Sequence, residues 1–582
     1  MTLLDQFAFD IGEIPFSLRG SWLDLSRVIG LHRSSPEVHL VTHTGGMHPI
    51  FRLVPVGVDG AEEPQVIATT ATLSWRTGAG EARAVFASGR DIRFRGRGLG
   101  MRFVAGDHLT PFTGGYLFED PVDGALTLTS YESGRRYRFT VVEGSPTTTG
   151  VGALGQSSRS IEFGAEGAWE VLVEEIGAAA PRPPGGARGG APPPRPDVSA
   201  RFDDLAAARR QEFAQYLDGL HGADIDDGAI KAAYVLWSAT VAPAGFVRRE
   251  AVLMSKHWMD KVWSWDHCFN AIALAGADPR AALDQFLVPF DHQEATGAIP
   301  DSVTHSEVLY NFVKPPIHGW AFAQLRRRTG DAYAEAELTS VYEHLSAWTR
   351  FWLDHRRRPG HRLPYYQHGN DSGWDNSTTF DAGGVVESPD LASFLILQLR
   401  ELHELGRRLG RSTLEWEAAE GDLTAALFEE LWTGERFVAR LATTGEAAPA
   451  SSLLNCLPIV LGELLPREVA DALERRIGEH LTAWGPATEP VGSPEYDDDG
   501  YWRGPIWAPS TALIEDGLRR AGRTILADEI SARFRALCET SGFAENFDAR
   551  TGAGLRDRAY SWTAAAYLTL RSDAAQRGAR AA

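Results

Sequence analysis

Residues 388–410 read SPDLASFLILQLRELHELGRRLG. Leu391, Leu395, Leu399, Leu402, Leu405 and Leu409 recur every three or four residues, which puts them on one stripe of a helix. Ser388 stands where an N-cap belongs, Pro389 suits the first helical position, and Gly410 follows the last apolar residue as a stop. The same punctuation recurs upstream, where Asp278 and Pro279 open a helix over Arg280–Phe290. Residues 201–575 carry many such patterns and few strand-like ones, which predicts an all-helical toroid of paired helices rather than a simple bundle.

Before this region lies GAAAPRPPGGARGGAPPPRP, residues 177–196, a composition with almost nothing to bury and so no means of offsetting the entropy of ordering. It predicts a Pro/Gly-rich linker over residues 177–200. Residues 1–176 have another period. Short β-rich segments, Glu37–His43, Asp91–Phe94, Ala125–Thr129, Arg136–Val142 and Trp169–Ile176, sit between Gly, Pro and Asp punctuation. They predict an antiparallel β-sandwich of about eight or more strands.

The chain has 582 residues, 43% hydrophobic and 23% charged, the composition of an ordinary globular protein. Its formal charge is -20, and no dense Lys/Arg run is present to displace counterions from a phosphate backbone, which argues against nucleic acid as a partner. Cys268, Cys456 and Cys538 are far apart and read as buried thiols. The first residues carry Asp5, Asp10 and Glu13 where a signal peptide needs a basic and then an apolar segment. No uncharged apolar stretch of about 18 residues follows, so the expected address is cytoplasmic, with no membrane partner.

Three loop-like stretches interrupt the helical pattern, and all are rich in Trp, Gly, Asp and Asn. WMDKVWSWDHCFN, residues 258–270, gathers Trp263, Trp265 and Asp266. Indole faces stack on pyranose C–H faces, and a carboxylate accepts from neighbouring hydroxyls. The same residues also fit a buried helix start capped by Asp266. YYQHGNDSGWDNS, residues 365–377, sets Asp375 beside Trp374, where burial can raise a carboxyl pKa as a general acid requires. Asp371 and Asp381 read as turn or cap residues, and Asn-Asp-Ser-Gly alone is an ordinary turn signal.

The third stretch has two parts. YWRGPIW, residues 501–507, offers Tyr501, Trp502, Arg503 and Trp507 around a Gly-Pro turn, and GFAENFD, residues 542–548, offers Glu545 among apolar and amide neighbours. Glu545 reads either as a poised base or as a solvated acid after a helix. The acidic run Asp497–Asp499 reads as a solvated loop, with calcium binding the lesser reading. Inverting hydrolysis of a glycosidic bond needs one protonated carboxyl and one ionised carboxylate, about 6.5 to 9.5 Å apart. Asp375 and Glu545 are remote in sequence, and a closed toroid brings such positions face to face.

Taken in order, WSWDHCFN, KPPIHGW, NDSGWDNS, YWRGPIW, and ENFD followed by TGAG and SWTAA resemble glycoside hydrolase family 63 and its relatives. These include bacterial α-glucosidases and mannosylglycerate or glucosylglycerate hydrolases, and trehalases show a related pairing. The likeness covers residues 230–570. It implies an (α/α)6 barrel, an inverting mechanism, Asp375 as general acid and Glu545 as general base. It also implies that Trp263, Asp266, Trp502 and Trp507 line the pocket for a carbohydrate or glycoside substrate, with neither cofactor nor catalytic metal; Trp374, Tyr501 and Arg503, in the same motifs, are read as further substrate-binding residues. Lys314, which opens KPPIHGW, falls where some relatives have Gln, and its contact with the sugar is an expectation of the same kind. The large N-terminal β region is a feature of the longer α-glucosidases, which points to an α-linked glucoside or short oligosaccharide, cleaved from its end.

Three rival readings remain at the level of sequence. A glycoside phosphorylase needs a phosphate site in place of the base. A lyase or epimerase on a helical toroid needs a His or Tyr base, for which His267, His305, His318 and His368 are available. A carbohydrate-binding protein on the same fold needs neither carboxyl.

Overall fold

The computed structural model describes residues 3–30, 34–57, 63–105, 115–155, 157–176, 198–221, 225–330 and 332–581. The Pro/Gly-rich segment read as a linker lies outside the described residues as far as residue 197. Packing divides the chain into two compact units: Met1–Asp218 with Ile225–Ala242 and Lys256–Asp260, and Gly219–Asp224 with Pro243–Ser255 and Lys261–Ala582.

The first unit is built on two antiparallel sheets. In spatial order the smaller runs Leu23–Ile29, Ser34–Thr42, His48–Val56, Gly100–Ala105, Arg159–Phe163, Thr147–Thr149. The larger runs Gln65–Ala68, Leu73–Arg76, Glu81–Ser88, Asp91–Arg97, Ala168–Ile176, Arg136–Glu143, Leu126–Ser130, Gly115–Glu119. The five segments read as strands from the sequence all fall on these strands to within one residue at either end. Phe51 and Phe103 of the smaller sheet meet Phe94 and Phe139 of the larger edge to face, with ring centroids 5.1 to 5.2 Å apart. That geometry sets the positive ring edge on the negative ring face while burying both.

The short run Lys256–Asp260 is anchored inside this unit. The Lys256 ammonium donates to Ser17 Oγ at 2.9 Å and to the Ser21 carbonyl at 2.6 Å. Burial pushes its pKa down to about 7. His43 lies between Asp24 at 2.6 Å and Asp260 at 3.1 Å. Burial opposes protonation there, but the bonds and charges of the two carboxylates prevail and raise the His43 pKa.

The second unit is helical. Its helices are α1 (His267–Leu274), α2 (Pro279–Leu287), α3 (His318–Thr329), α4 (Glu335–Arg350), α5 (Pro389–Arg408), α6 (Leu414–Ala426), α7 (Arg467–His480), α8 (Ala508–Arg520), α9 (Thr524–Ser541) and α10 (Ser561–Ala581), with a 3-10 segment at Leu453–Leu464. α1 packs on α3, α3 on α5, α5 on the 3-10 segment, that segment on α8, α8 on α10, and α10 on α1 again. The six therefore close a circuit. The other helices pair with members of it: α2 with α1 and α3, α4 and α6 with α5, α7 with the 3-10 segment, and α9 with α8 and α10.

Local sequence explains these elements. Leu391, Leu395, Leu399, Leu402 and Leu405 are all buried along α5, while Leu409 caps it and Gly410 ends it at φ +66°. Ser388 does take the N-cap position, but its hydroxyl donates to the Asp390 carboxylate instead of capping a backbone amide. Asp278 caps α2 as expected, accepting from Ala281 N at 3.0 Å. Gly319 lets α3 approach α5 closely, because a Cβ there would lie 2.2 Å from Gln398 Cα. The three cysteines are free and buried, as the sequence suggested. Among the described residues no helix is long and apolar enough to cross a membrane.

Gly319→Ala forces α3 away from α5 and is expected to cost about 1–3 kcal/mol. Calorimetry would register this as a lower unfolding midpoint, while an alanine at the open position Gly421 leaves the midpoint within about 0.5 kcal/mol of the parent or raises it.

Candidate active site

A three-stranded ribbon supplies the first functional groups. Val262–Trp263 pairs with Ser302–Val303, which pairs with Val308–Leu309. The pairing places Trp263 next to Asp301, whose carbonyl accepts from Ser264 N at 3.1 Å. Trp263 is only partly buried, and its indole Nε1 has no hydrogen-bond partner among the described residues. The chain then enters α1 with Asp266 at the N-cap position. Asp266 caps nothing: its backbone is helical, its side chain bonds no first-turn amide, and Oδ2 is buried without a partner among the described residues. The cap reading of this residue therefore fails.

Lys314 arrives from the loop before α3. Its ammonium donates to the Asn370 carbonyl at 2.9 Å and lies 3.5 Å from Asp301 Oδ1, 3.7 Å from Asp375 Oδ1 and 5.5 Å from the centre of the Trp263 ring. Asp375 follows a tight turn at Gly373, where φ is +74° and a Cβ would come within 2.6 Å of the Trp265 indole. Asp371 is structural, as read from sequence. It is buried and accepts from Val313 N at 3.1 Å, Gln367 N at 2.8 Å and Arg356 Nη1 at 2.9 Å. Asn376 ties this loop to the next: it accepts from Trp502 N at 2.9 Å, donates to the Gly500 carbonyl at 2.9 Å, and its own carbonyl accepts from Arg503 Nε at 2.8 Å. Arg503 is paired with Asp381 as well, so it braces the loop that carries Asp375.

Glu545 sits beyond α9 with 1% of its surface exposed. Its amide donates to the Asp557 carbonyl at 2.7 Å, and Phe547 and Ile506 exchange hydrogen bonds at 2.7 and 3.0 Å, which couples ENFD to YWRGPIW. Tyr501 donates a hydrogen bond to the Glu545 carboxylate, while Oε2 is buried with no partner among the described residues. Beneath Tyr501 the indoles pack on one another: Trp502 stacks on Trp507 at 4.0 Å and 6°, and Trp374 lies 4.7 Å from Trp502. Trp374, Trp502 and Trp507 are each 1% exposed, so much of their area supports the loops, and Trp263 is the indole with open surface.

Burial pushes the Asp266 pKa up to about 8, against the attraction of Lys314 and with help from Asp301 and Asp375. Burial lifts Asp301 to about 6 against the same ammonium. Asp375 keeps 29% of its side chain open but lies deep enough for desolvation to raise its pKa while Lys314 opposes. Burial also pushes Glu545 up to about 8, with Asp557 and Asp375 adding to the rise and Arg556 and Tyr501 opposing it. Lys314 stays protonated, since the three carboxylates outweigh its own burial. The arrangement provides three carboxyls, Asp266, Asp301 and Glu545, able to hold or release a proton near neutrality, and acceptors without partners among the described residues.

Two of the four histidines that could have served a rival chemistry are poor bases. His267 and His318 are fully buried, held by the Trp263 and Ser264 carbonyls at 3.1 Å, and burial lowers both to about 4. His368 accepts from Asn370 N and stacks on Phe312. The acidic run is paired, not merely solvated: Asp498 meets Arg550 at 3.2 Å and Asp499 meets Arg556 at 2.6 Å. Sequence reasoning missed Asp301, which follows a Gly and a Pro in a loop, and Arg556, two residues past TGAG. Arg556 stood next to a motif that drew attention, whereas Asp301 lay between two of them.

The family model described as the mannosylglycerate hydrolase MGH1-like glycoside hydrolase domain matches residues 259–563. The mannosylglycerate hydrolase of Rubrobacter radiotolerans is 25% identical over 53% of this chain and 90% of its own length. The glucosylglycerate hydrolase of Mycolicibacterium hassiacum is 25% identical over 58% and 96%. A GH63 mannosylglycerate hydrolase from Thermus thermophilus, solved with glucose, superposes with a TM-score of 0.53 at 23% identity, over 59% of this chain and 99% of that one. A bacterial glucoamylase solved with acarbose gives 0.59 at 10% identity, over 97% of this chain and 94% of that one, so the fold likeness takes in the β-sheet region as well. With its helical region matched over more than half of the sequence, this chain belongs to the mannosylglycerate hydrolase MGH1-like glycoside hydrolase family and is a glycoside hydrolase.

Proposed function

We propose that the enzyme is an inverting, exo-acting hydrolase of an α-linked glucoside or short α-oligosaccharide, working on an (α/α)6 barrel at residues 201–575 that follows a β-sandwich at 1–176 and a linker at 177–200. Asp375 is the general acid and Glu545 the general base. The observation that carries this reading is the pairing of Asp375, partly open beside Lys314, with a buried Glu545 whose Oε2 is unengaged and whose ionisation feels the Asp375 charge. Protonated Asp375 gives its proton to the glycosidic oxygen as the bond to the anomeric carbon breaks. Glu545 Oε2 takes a proton from water, which attacks that carbon from the opposite face, so an α-glycoside releases a β sugar. Asp266 and Trp263 bind hydroxyls and ring of the departing sugar, with Lys314 holding the acid loop. Tyr501, Trp502, Trp507, Trp374 and Arg503 shape and brace the pocket wall.

Charge favours a neutral leaving group. Lys314, Arg503 and Arg556, the cations around the carboxyls, are each already paired with an aspartate. The second reading, a sugar–glycerate conjugate, draws support from the relatives named mannosylglycerate and glucosylglycerate hydrolases. It requires one of those pairs to open for the glycerate carboxylate.

Asp375→Asn and Glu545→Gln are each expected to lower kcat by about 10²–10⁴-fold without loss of folding, each removing one proton-transfer group. Proton NMR of the first product from a panel of α-glucosides, α-mannosides and glycerate conjugates should show the β anomer before mutarotation. An α anomer as first product, or a requirement for phosphate, sinks the assignment.

The base must be ionised to act, and burial holds Glu545 up to about 8. Activity is therefore lost as pH falls through that value. The acid limb of kcat/KM should lie well above pH 4.5, the ordinary glutamate range, and a limb at or below 4.5 would show that Glu545 is not the base.

A further inference from the structure

Among the described residues just two that are not glycine have a positive φ, Tyr501 at 63° and Arg556 at 60°. They come from separate segments, and they meet: the Arg556 guanidinium lies over the Tyr501 ring, 5.0 Å from its centre. A left-handed backbone costs an L side chain energy, and it persists where the surroundings demand that side chain's direction. Here both directions converge on one place. Tyr501 donates to Glu545, and Arg556 Nη1 donates at 3.2 Å to Oδ1 of Asn546, the residue next to Glu545.

We propose that Arg556 is a positioning residue for the water-activating carboxylate: clamped over Tyr501 and bonded to Asn546, it fixes the Glu545 segment and supplies its nearby positive charge. The inference rests on the reading of Glu545 as the base. Arg556 is itself held from outside by Asp499, through the ion pair at 2.6 Å and a bond from Nη2 to the Asp499 carbonyl at 3.2 Å. This gives the acidic run an assignment that its sequence did not suggest, that of an anchor for the guanidinium.

The charges facing Glu545 are few. Asp557 and Asp375 disfavour its ionisation, as does burial, while Arg556 and the Tyr501 hydroxyl favour it. Tyr560 and Asp266 complete the surroundings; both interact with the same cluster. Arg556 is the one cation in that set. Removing its charge leaves the desolvation and the two aspartates unopposed except by Tyr501, so the carboxylate takes up its proton at higher pH.

The test is the pH dependence of kcat/KM for Arg556→Gln and Arg556→Lys beside Glu545→Gln. Arg556→Gln is expected to move the acid limb upward by about one pH unit, which is about tenfold in kcat/KM on the acid side, with the alkaline plateau changed less. Arg556→Lys keeps a charge but loses the planar fork, and should recover part of the shift. A folded Arg556→Gln enzyme whose limb stays in place, with activity scaled equally at every pH, overturns the proposal. Should Arg556→Gln fail to fold, an unshifted limb in Arg556→Lys overturns it equally. Glu545→Gln separates the two ideas: full activity in that variant removes the base assignment, whereas an inactive Glu545→Gln with an unshifted Arg556 series removes the role of Arg556 alone.

Discussion

One buried ammonium orders the site. Lys314 is 5% exposed and faces Asp301, Asp375 and, through its charge, Asp266, groups that come from the ribbon, the Asp375 loop and the start of α1. A lone buried cation costs several kcal/mol, and so does each buried carboxylate without a counterion. Neither side can leave without stranding the other, so the ammonium fixes three segments that the sequence keeps far apart. Three carboxyls cannot all ionise around one cation, however. Burial and mutual repulsion have to keep protons on some of them, and a site with spare protons near neutrality is a site that can deliver one.

The loops themselves are held by means that do not involve titration. Asn376 bridges the Asp375 loop to Gly500 and Trp502, Arg503 closes the same seam from the other side, and the bridge between Ile506 and Phe547 carries the order on to Glu545. Under the seam the Trp502 and Trp507 indoles pack face to face, with Trp374 tilted against Trp502. Large rigid side chains lose little rotamer entropy for the area they bury, which suits them to stiffening loops that have no ladder of their own. The reacting groups thus sit on irregular backbone made stiff by side chains, at the ends of helices whose circuit supplies the frame.

The sequence exposed what has a period or an unusual composition. The α5 stripe, the Asp278–Pro279 start and the alternating strands were legible because burial on one face writes itself into spacing. The loop motifs were legible because Trp and Gly cluster there outside any helical or strand period. The closing of the helical circuit was not, since contacts such as α10 on α1 join the first and last helices of the unit and leave no local mark. Nor was the 3-10 segment Leu453–Leu464, whose apolar run reads as a helix until Pro458 and the turn at Gly462, φ +59°, are taken into account. Asp266 was misleading in its bland reading for a related reason: a helix start invites a capping role, and only geometry shows that the carboxyl points elsewhere. Asp301 and Arg556 carried no signal, because a single charged residue in a loop looks alike whether it meets solvent or a buried partner.

The two proposed catalytic carboxyls must end in opposite states, and their neighbours at first sight favour the wrong result at one end. An ammonium 3.7 Å from Asp375 stabilises the ionised form of a group that has to arrive protonated. Asp301 resolves this. With its Oδ1 3.5 Å from the same ammonium, it takes a share of the Lys314 charge, and desolvation then prevails over what remains, so Asp375 titrates above its ordinary range. At the far end the balance has the same sign, since Glu545 too is pushed up by burial and by two aspartates and drawn back by Arg556 and Tyr501. Because Asp375 and Glu545 also repel one another when both are charged, the state with one negative charge between them is favoured over either extreme. Which carboxyl carries that charge is then decided by the difference between two cations: Lys314, shared among Asp375, Asp301 and Asp266, and Arg556, anchored by Asp499 at the exposed rim, where water screens the pairing more than it screens a buried one.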